Sequence, residues 1–466
     1  MEVVRDCLLK KLISHLSTRT VKANMANNDF SRFSKKVVQY FWDPLPRNED
    51  ASQIWCLGRS YDSRYQDARQ SKVLGTSPSG ESTSSKADSA VATETAAKPE
   101  SEWESVERSP SVGAEESTLK GQVELSVSEE EALGWPSEFL DDLEAKLWLT
   151  YRSNFTPIPR SPDPAATSNM SFSTRLRNLT AQAGFTSDTG WGCMIRSGQS
   201  MLANTLAELR LGRDWRVGEE KQAHKDLLAL FADAPEAPFS IHKFVEHGAQ
   251  ACGKHPGEWF GPSATARCIQ ALVAKNPSLN LRVYVRPDDS DVYAASVIQM
   301  ATALSANETF EPTLILLGVR LGIDRITPVY HAALRSLLEL PQSVGIAGGR
   351  PSSSHYFLGH QGDVFFYLDP HTTRSALPLD PSEEDIATCH TRRVRRIGLA
   401  EMDPSMLLGF LVKSKDDFED WRRRLGECGG KAVVHVHERE PRYATGVERE
   451  GAEDEVEAWD ETGDET

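Results

Sequence analysis

The alternation of apolar and polar positions divides the chain into segments of different kinds. "DFSRFSKKVVQYFW" (Asp29–Trp42) sets Phe33, Val37, Val38 and Phe41 on one helical stripe. "IWCLGRSY" (Ile54–Tyr61) reads as a short strand or a buried turn. "PSEFLDDLEAKLWLTYRSNF", from Pro136, reads as an amphipathic helix running to about Tyr151. After Cys193, the residues Ile195, Gly198, Leu202, Leu206 and Leu209 share one helical face. Gly198 on that face leaves room for close packing, and Gly212 is placed to end the helix. Further helices are expected at about Glu219–Phe231, Ile241–Ala249, Ser263–Lys275 and His331–Leu338.

Strands follow a different rhythm. "LRVYVRP" (Leu281–Pro287) and "TLILLGVRLG" (Thr313–Gly322) are rich in β-formers. "HYFLGHQGDVFFYLD" (His355–Asp369) predicts a hairpin about a Gln361-Gly362-Asp363 turn. "GFLVKS" and "KAVVHVHE" supply two more strands. Helices first and a largely antiparallel sheet afterwards predict an α+β fold.

The periodic pattern lapses in three places. Residues 66–130 contain no Ile or Phe, fourteen Ser and more acids than bases, the composition of a disordered loop. Thr156–Gly184 has four prolines and many Ser and Thr, and reads as a second loop. Glu438–Thr466 has twelve acids and three bases, an acidic tail. The expected organisation is a flexible N-terminus (1–27), one domain over 28–437 with insertions at about 66–135 and 156–184, and the tail (438–466). A formal charge of −16 argues against nucleic acid as the main partner and suits a protein partner with a basic patch.

Seven cysteines are present: Cys7, Cys56, Cys193, Cys252, Cys268, Cys389 and Cys428. The number is odd and no CxxC pair occurs, so they read as reduced thiols, not a disulfide scaffold or a zinc site. No apolar run approaches the roughly 18 residues of a membrane span. The basic N-terminal segment lacks the apolar core of a signal peptide, and its Glu2 and Asp6 argue against a mitochondrial presequence. A cytosolic protein is expected.

Two stretches carry candidate chemistry. In "TSDTGWGCMIRSGQ" (Thr186–Gln199), Ser187, Asp188 and Thr189 are cap-type residues, so a helix is expected to begin between them and Cys193. A thiol in the first turn meets the positive end of the helix, which favours thiolate. Gly190 and Gly192 let the backbone bend, and its N–H groups could cradle an oxyanion. The same pattern also suits a buried thiol packed under Trp191. In "YLDPHTT" (Tyr367–Thr373), Asp369 and His371 stand at the end of an apolar strand, where the acid can orient the imidazole. A polar turn that merely caps the strand is the alternative.

These motifs resemble the autophagins, the papain-like cysteine proteases that process the ubiquitin-like autophagy modifier attached to phosphatidylethanolamine. The resemblance rests on "TSDTGWGCMIRSGQ", "YFLGHQGDVFFYLDPHTT" and "MDPSMLLGFLVKSKDDFEDW". "WLTYRSNF", "GEWFGPSATA" and "PQSVGIAGGRPSSSHYF" match in the same order. It covers about Asp29 to Leu425 and implies a papain-like α+β core. It implies Cys193 as nucleophile, His371 as base, Asp369 as its orienter and Tyr151 as an oxyanion-hole hydroxyl. Trp259 would line the channel over the substrate's glycine, and Val344–Arg350 would be a mobile loop covering that channel.

The implied activity is cleavage after the modifier's C-terminal glycine, both maturing the precursor and releasing the lipid-conjugated form. No cofactor or metal is required. The implied partner is the modifier, met as precursor or on autophagic membranes. The implied protein is a monomer of the cytoplasm, with the nucleus also open to it. Two other readings remain beside this one: a catalytically silent modifier-binding protein on the same scaffold, and a transglutaminase-like acyl transferase, whose acid usually follows its histidine. His435-Val436-His437 has metal-like spacing but no partner cluster. Trp42–Leu45 and Trp103–Val106 are aromatic-x-x-aliphatic segments that could add as strands to the modifier.

Overall fold

The computed structural model describes residues 46–64, 133–163, 166, 170, 174–175, 184–287, 289–303, 309–350 and 353–441. The Asp29–Trp42 helix, the 66–130 loop, the two aromatic-x-x-aliphatic segments and the tail beyond residue 441 lie outside them. Residues 46–51, 62–64 and 133–137 belong to one unit. There Asn48 donates to Ser63 Oγ (3.0 Å) and Gly134 O (3.3 Å), and Trp135 Nε1 donates to Pro46 O (2.9 Å). Everything that follows concerns the other unit.

Its strands are β1 (Ile54–Cys56), β2 (Arg59–Tyr61), β3 (Arg152–Ile158), β4 (Phe185–Ser187), β5 (Arg282–Arg286), β6 (Asp291–Tyr293) and β7 (Thr313–Arg320). Then come β8 (Ser343–Arg350), β9 (Ser353–Gln361), β10 (Val364–Leu368), β11 (Arg374–Ser375), β12 (Arg395–Gly398), β13 (Ser405–Val412) and β14 (His435–His437). The helices are α1 (Ser137–Glu144), α2 (Cys193–Arg210), α3 (Lys221–Ala229), α4 (Ile241–Ala251), α5 (Pro262–Ala274), α6 (Ala294–Thr302), α7 (His331–Glu339), α8 (Glu383–Ala387) and α9 (Lys415–Glu427).

The main sheet runs β12-β10-β9-β8-β13-β7-β5, with the β1–β2 hairpin added along Gly359–Gln361 of β9. Only β5–β7 is parallel. The fold is α+β, with an antiparallel sheet and helices packed on it. Helix α2 is buried from Cys193 through Ala207, on every side and not only along the expected stripe. At Gly198 a Cβ would meet Thr265 Cγ2 at 2.3 Å, so α5 can pack this close only against glycine. From the sheet, Ser354 Oγ reaches Met194 Sδ (3.2 Å) and Ser197 Oγ (3.3 Å).

A second sheet, β11-β3-β4, matters more for function. β3 pairs in parallel with β11 at Arg152–Arg374 and antiparallel with β4 at Ser153–Ser187. It therefore ties the chain entering Cys193 to the chain leaving His371.

Several expectations need correction. The helix expected to reach Tyr151 ends at Glu144. Leu147, Trp148, Leu149 and Thr150 are all buried, so the run is extended and surrounded. Its N–H groups are satisfied from outside: Leu147 by Asn204 Oδ1 (2.9 Å), Trp148 by Cys389 O (2.8 Å) and Leu149 by Ser200 Oγ (3.0 Å). Thr156–Ile158, assigned to the loop, continue β3. Val344–Arg350, expected as a mobile loop, is strand β8 inside the main sheet. Its glycines answer to crowding: a Cβ on Gly348 would lie 2.7 Å from the Met406 backbone. Of "KAVVHVHE" only His435–His437 is a strand, paired with β6 and not with the main sheet. Helices α6, α8 and α9 went unread.

Candidate active site

Cys193 is the first residue of α2 and is fully buried. The helix is capped by Gly192, without a side-chain cap. Asp188, one of the three cap-type residues, does something else. Its backbone carbonyl accepts the N–H groups of Trp191 (3.1 Å) and Gly192 (2.9 Å). Its carboxylate accepts the Arg152 N–H at 2.6 Å and Arg196 Nε at 2.7 Å. Arg196 pairs onward with Asp233 at 2.8 Å, and Asp233 accepts the Leu377 N–H at 2.8 Å. A buried ionic chain thus fixes the turn before the thiol. A Cβ on Gly192 would lie 2.5 Å from Asp188 Oδ2, so this turn leaves no room for a side chain.

Asp369 and His371 follow the last residue of β10, on the far side of the small sheet. His371 Nδ1 lies 2.6 Å from Asp369 Oδ1, and the His371 N–H donates to the same oxygen at 3.0 Å. Trp148 Nε1 donates to Asp369 O (2.8 Å) and the Tyr151 N–H to Pro370 O (2.8 Å). Thr189 and Thr373 share a 2.9 Å hydroxyl contact, which joins the two loops directly. The Tyr151 ring meets His371 edge-on at 5.4 Å. His371, Asp369 and Tyr151 thus lie together, and His371 and Tyr151 both act on the Cys193 thiol.

The electrostatics belong to one coupled pair. Burial pushes the Cys193 thiol up, but the His371 side chain, the Ser354 N–H and the Tyr151 hydroxyl outweigh it, and the net shift is downward. Burial disfavours the His371 cation, yet Asp369 and the thiol raise it to about 9. Burial would likewise raise Asp369, but its bonds to His371 bring it to about 2. Both shifts move the pair toward thiolate with imidazolium. His371 Nε2 and the Tyr151 hydroxyl are buried with no aligned hydrogen bond among the described residues, although both act on the thiol. Both side chains are thus held against the sulfur.

Comparison with known proteins places this site in a family. The peptidase C54 catalytic domain matches residues 136–424, a span that includes Tyr151, Cys193, Trp259, Asp369 and His371. The chain belongs to the peptidase C54 family. It is a cysteine protease of autophagy. Among its C54 relatives, a probable cysteine protease atg4 of Sclerotinia sclerotiorum is 54% identical over 95% of this chain and 99% of its own. One from Aspergillus oryzae is 49% identical over 94% and 100%. The cysteine protease atg4 of Emericella nidulans is 48% identical over 94% and 99%.

Two further C54 residues stand differently. Trp259, just before α5, has a buried indole N–H with no hydrogen-bond partner among the described residues. No hydrogen bond or ring contact joins it to Cys193, His371 or Tyr151 among the described residues. His355 went unread. It lies edge-on to Tyr367 (4.5 Å) and His371 (5.3 Å), and its Nε2 is 4.0 Å from Asp369 Oδ1. Burial lowers its pKa to about 4, so it is neutral. The signal was in the hairpin: Tyr356 pairs with Leu368, which sets His355 opposite Asp369. His435-Val436-His437 gathers no metal-ligand cluster among the described residues; His437 Nε2 lies 3.4 Å from Asp291. No helix among the described residues is long and apolar enough to cross a membrane.

Proposed function

We propose that this protease cleaves after the C-terminal glycine of a ubiquitin-like autophagy modifier, both from its precursor and from phosphatidylethanolamine. The observation that carries the reading is His371 acting on Cys193 while its Nδ1 is held by Asp369 at 2.6 Å. Family membership supports the reaction class, and the names of the relatives support its place in autophagy.

The chemistry follows from these groups. The Cys193 thiolate attacks the glycine carbonyl carbon. The tetrahedral oxyanion takes hydrogen bonds from the Tyr151 hydroxyl and from the backbone at the head of α2. His371 gives its Nε2 proton to the leaving amine, a peptide N-terminus or the lipid headgroup. A thioester remains. His371, now neutral, removes a proton from water, which attacks the thioester and frees the glycine carboxylate and the thiol. Trp259 is assigned to the channel over the glycine. The protease domain is assigned to 28–437, with the acidic tail beyond it. The protein works as a monomer in the cytoplasm and reaches autophagic membranes through its lipidated substrate.

The test offers full-length protein the modifier with a C-terminal extension, and separately the phosphatidylethanolamine conjugate on liposomes. Cleavage after the glycine in both is expected. Cleavage of neither, or cleavage at another bond, contradicts the reading.

A further inference from the structure

His355, Asp369 and His371 each offer one metal-ligating atom, and the three atoms lie within 4.8 Å of one another. His371 Nδ1 is 2.6 Å from Asp369 Oδ1, and His355 Nε2 is 4.0 Å from that same oxygen. The side chains are 18%, 17% and 27% exposed, so an ion can reach them while the walls shelter it. Two imidazole nitrogens and one carboxylate oxygen are the donor set of zinc sites that keep a fourth position open. With metal–donor bonds of about 2.0–2.1 Å, tetrahedral donors sit roughly 3.3 Å apart. The observed separations of 2.6 and 4.0 Å bracket that spacing, so small turns of the side chains close the site.

We propose that these three residues form a site for a zinc-class dication, and that its occupancy switches the protease off. Metal and proton compete for one lone pair: the ion takes His371 Nδ1 and the Nδ1 proton passes to solvent. The Asp369–His371 hydrogen bond that orients the ring is lost with it. Arg395 Nε, 3.8 Å from Asp369 Oδ2, stands on the other carboxylate oxygen and leaves Oδ1 facing the histidines. Its positive charge keeps the affinity below that of a structural zinc site, as a reversible inhibitory site requires. Cys193 is not in the donor set. That separates this site from an ion caught between thiol and imidazole, which any Cys/His pair can hold. The inhibition rests on reading His371 as the base; the binding does not.

The test titrates metal-free full-length protein with Zn²⁺ by calorimetry, and with Co²⁺ as a spectroscopic probe. The wild type is expected to bind Zn²⁺, and the Co²⁺ form to show no thiolate-to-metal charge-transfer band. His355→Phe should weaken Zn²⁺ binding by at least about tenfold, the loss typical of disturbed metal sites. It should weaken Zn²⁺ inhibition of precursor cleavage in parallel. Cys193→Ser should bind as the wild type does. His355→Gln replaces the phenylalanine variant if thermal melting shows that variant unfolded. Equal Zn²⁺ affinity in the His355 variant and the wild type, loss of binding in Cys193→Ser, or no binding at all overturns the site. Normal binding by a protein that does not cut the modifier overturns the proposed substrate and leaves the site standing.

Discussion

Asp369 Oδ1 accepts from both the ring Nδ1 and the backbone N–H of His371, at 2.6 and 3.0 Å. One oxygen thus fixes the imidazole and the turn that carries it. The amide of Asp369→Asn cannot hold the same tautomer, and kcat should fall by about 10⁴-fold with KM little changed. The pH profile gives a second readout. His371, raised to about 9, stays protonated below that pH, so the ion pair is kept up to it and lost as pH rises through it. Asp369→Asn should move the alkaline limb of kcat/KM down toward the ordinary histidine value of about 6.5. An alkaline limb that stays near the wild-type position contradicts this.

Tyr151→Phe removes a buried hydroxyl directed at the thiol. If that hydroxyl serves the oxyanion, kcat should drop by about 10²–10³-fold while KM holds. Steady-state kinetics on the modifier precursor decide it, and an unchanged kcat removes Tyr151 from the chemistry.

The turn before Cys193 is sterically full. In Gly192→Ala the new Cβ starts 2.5 Å from Asp188 Oδ2, so the turn or the buried Arg196–Asp188 pair must give way. A displacement near 1 Å at Cys193 should cost about 10² in kcat. Circular dichroism should show the variant folded; full activity would mean that the turn has slack.

How far the sequence was legible depends on what kind of information each element carries. The triad candidates were readable because each sits inside a short contiguous motif. The role of Asp188 was not legible, because its partners Arg152 and Arg196 are found only in three dimensions. The apolar run Leu147–Thr150 looked helical because a segment buried on all sides shows no polar face. β8 looked like a loop because its glycines meet backbone on both neighbouring strands. α9 was there to be read: Phe418, Trp421 and Leu425 carry helical spacing under a charged surface.

Stability has its own centre. Asp142 is fully buried, 3.0 Å from Lys146 Nζ, 2.7 Å from Arg213 Nη2 and 2.8 Å from the Tyr61 hydroxyl. Asp142→Ala strands two cations in the interior and should cost about 3–5 kcal/mol. Urea unfolding measures it, and activity per folded molecule should be unchanged. A loss under about 1 kcal/mol would mean water reaches the cluster, as at exposed pairs.

The most direct measurement is the intact mass of the protein after acid quench during turnover of the modifier precursor. The expected species is protein plus modifier less its C-terminal extension, released by hydroxylamine and absent from Cys193→Ser. Precursor cleavage that persists in Cys193→Ser, or an adduct mapped to another residue, contradicts Cys193 as the nucleophile.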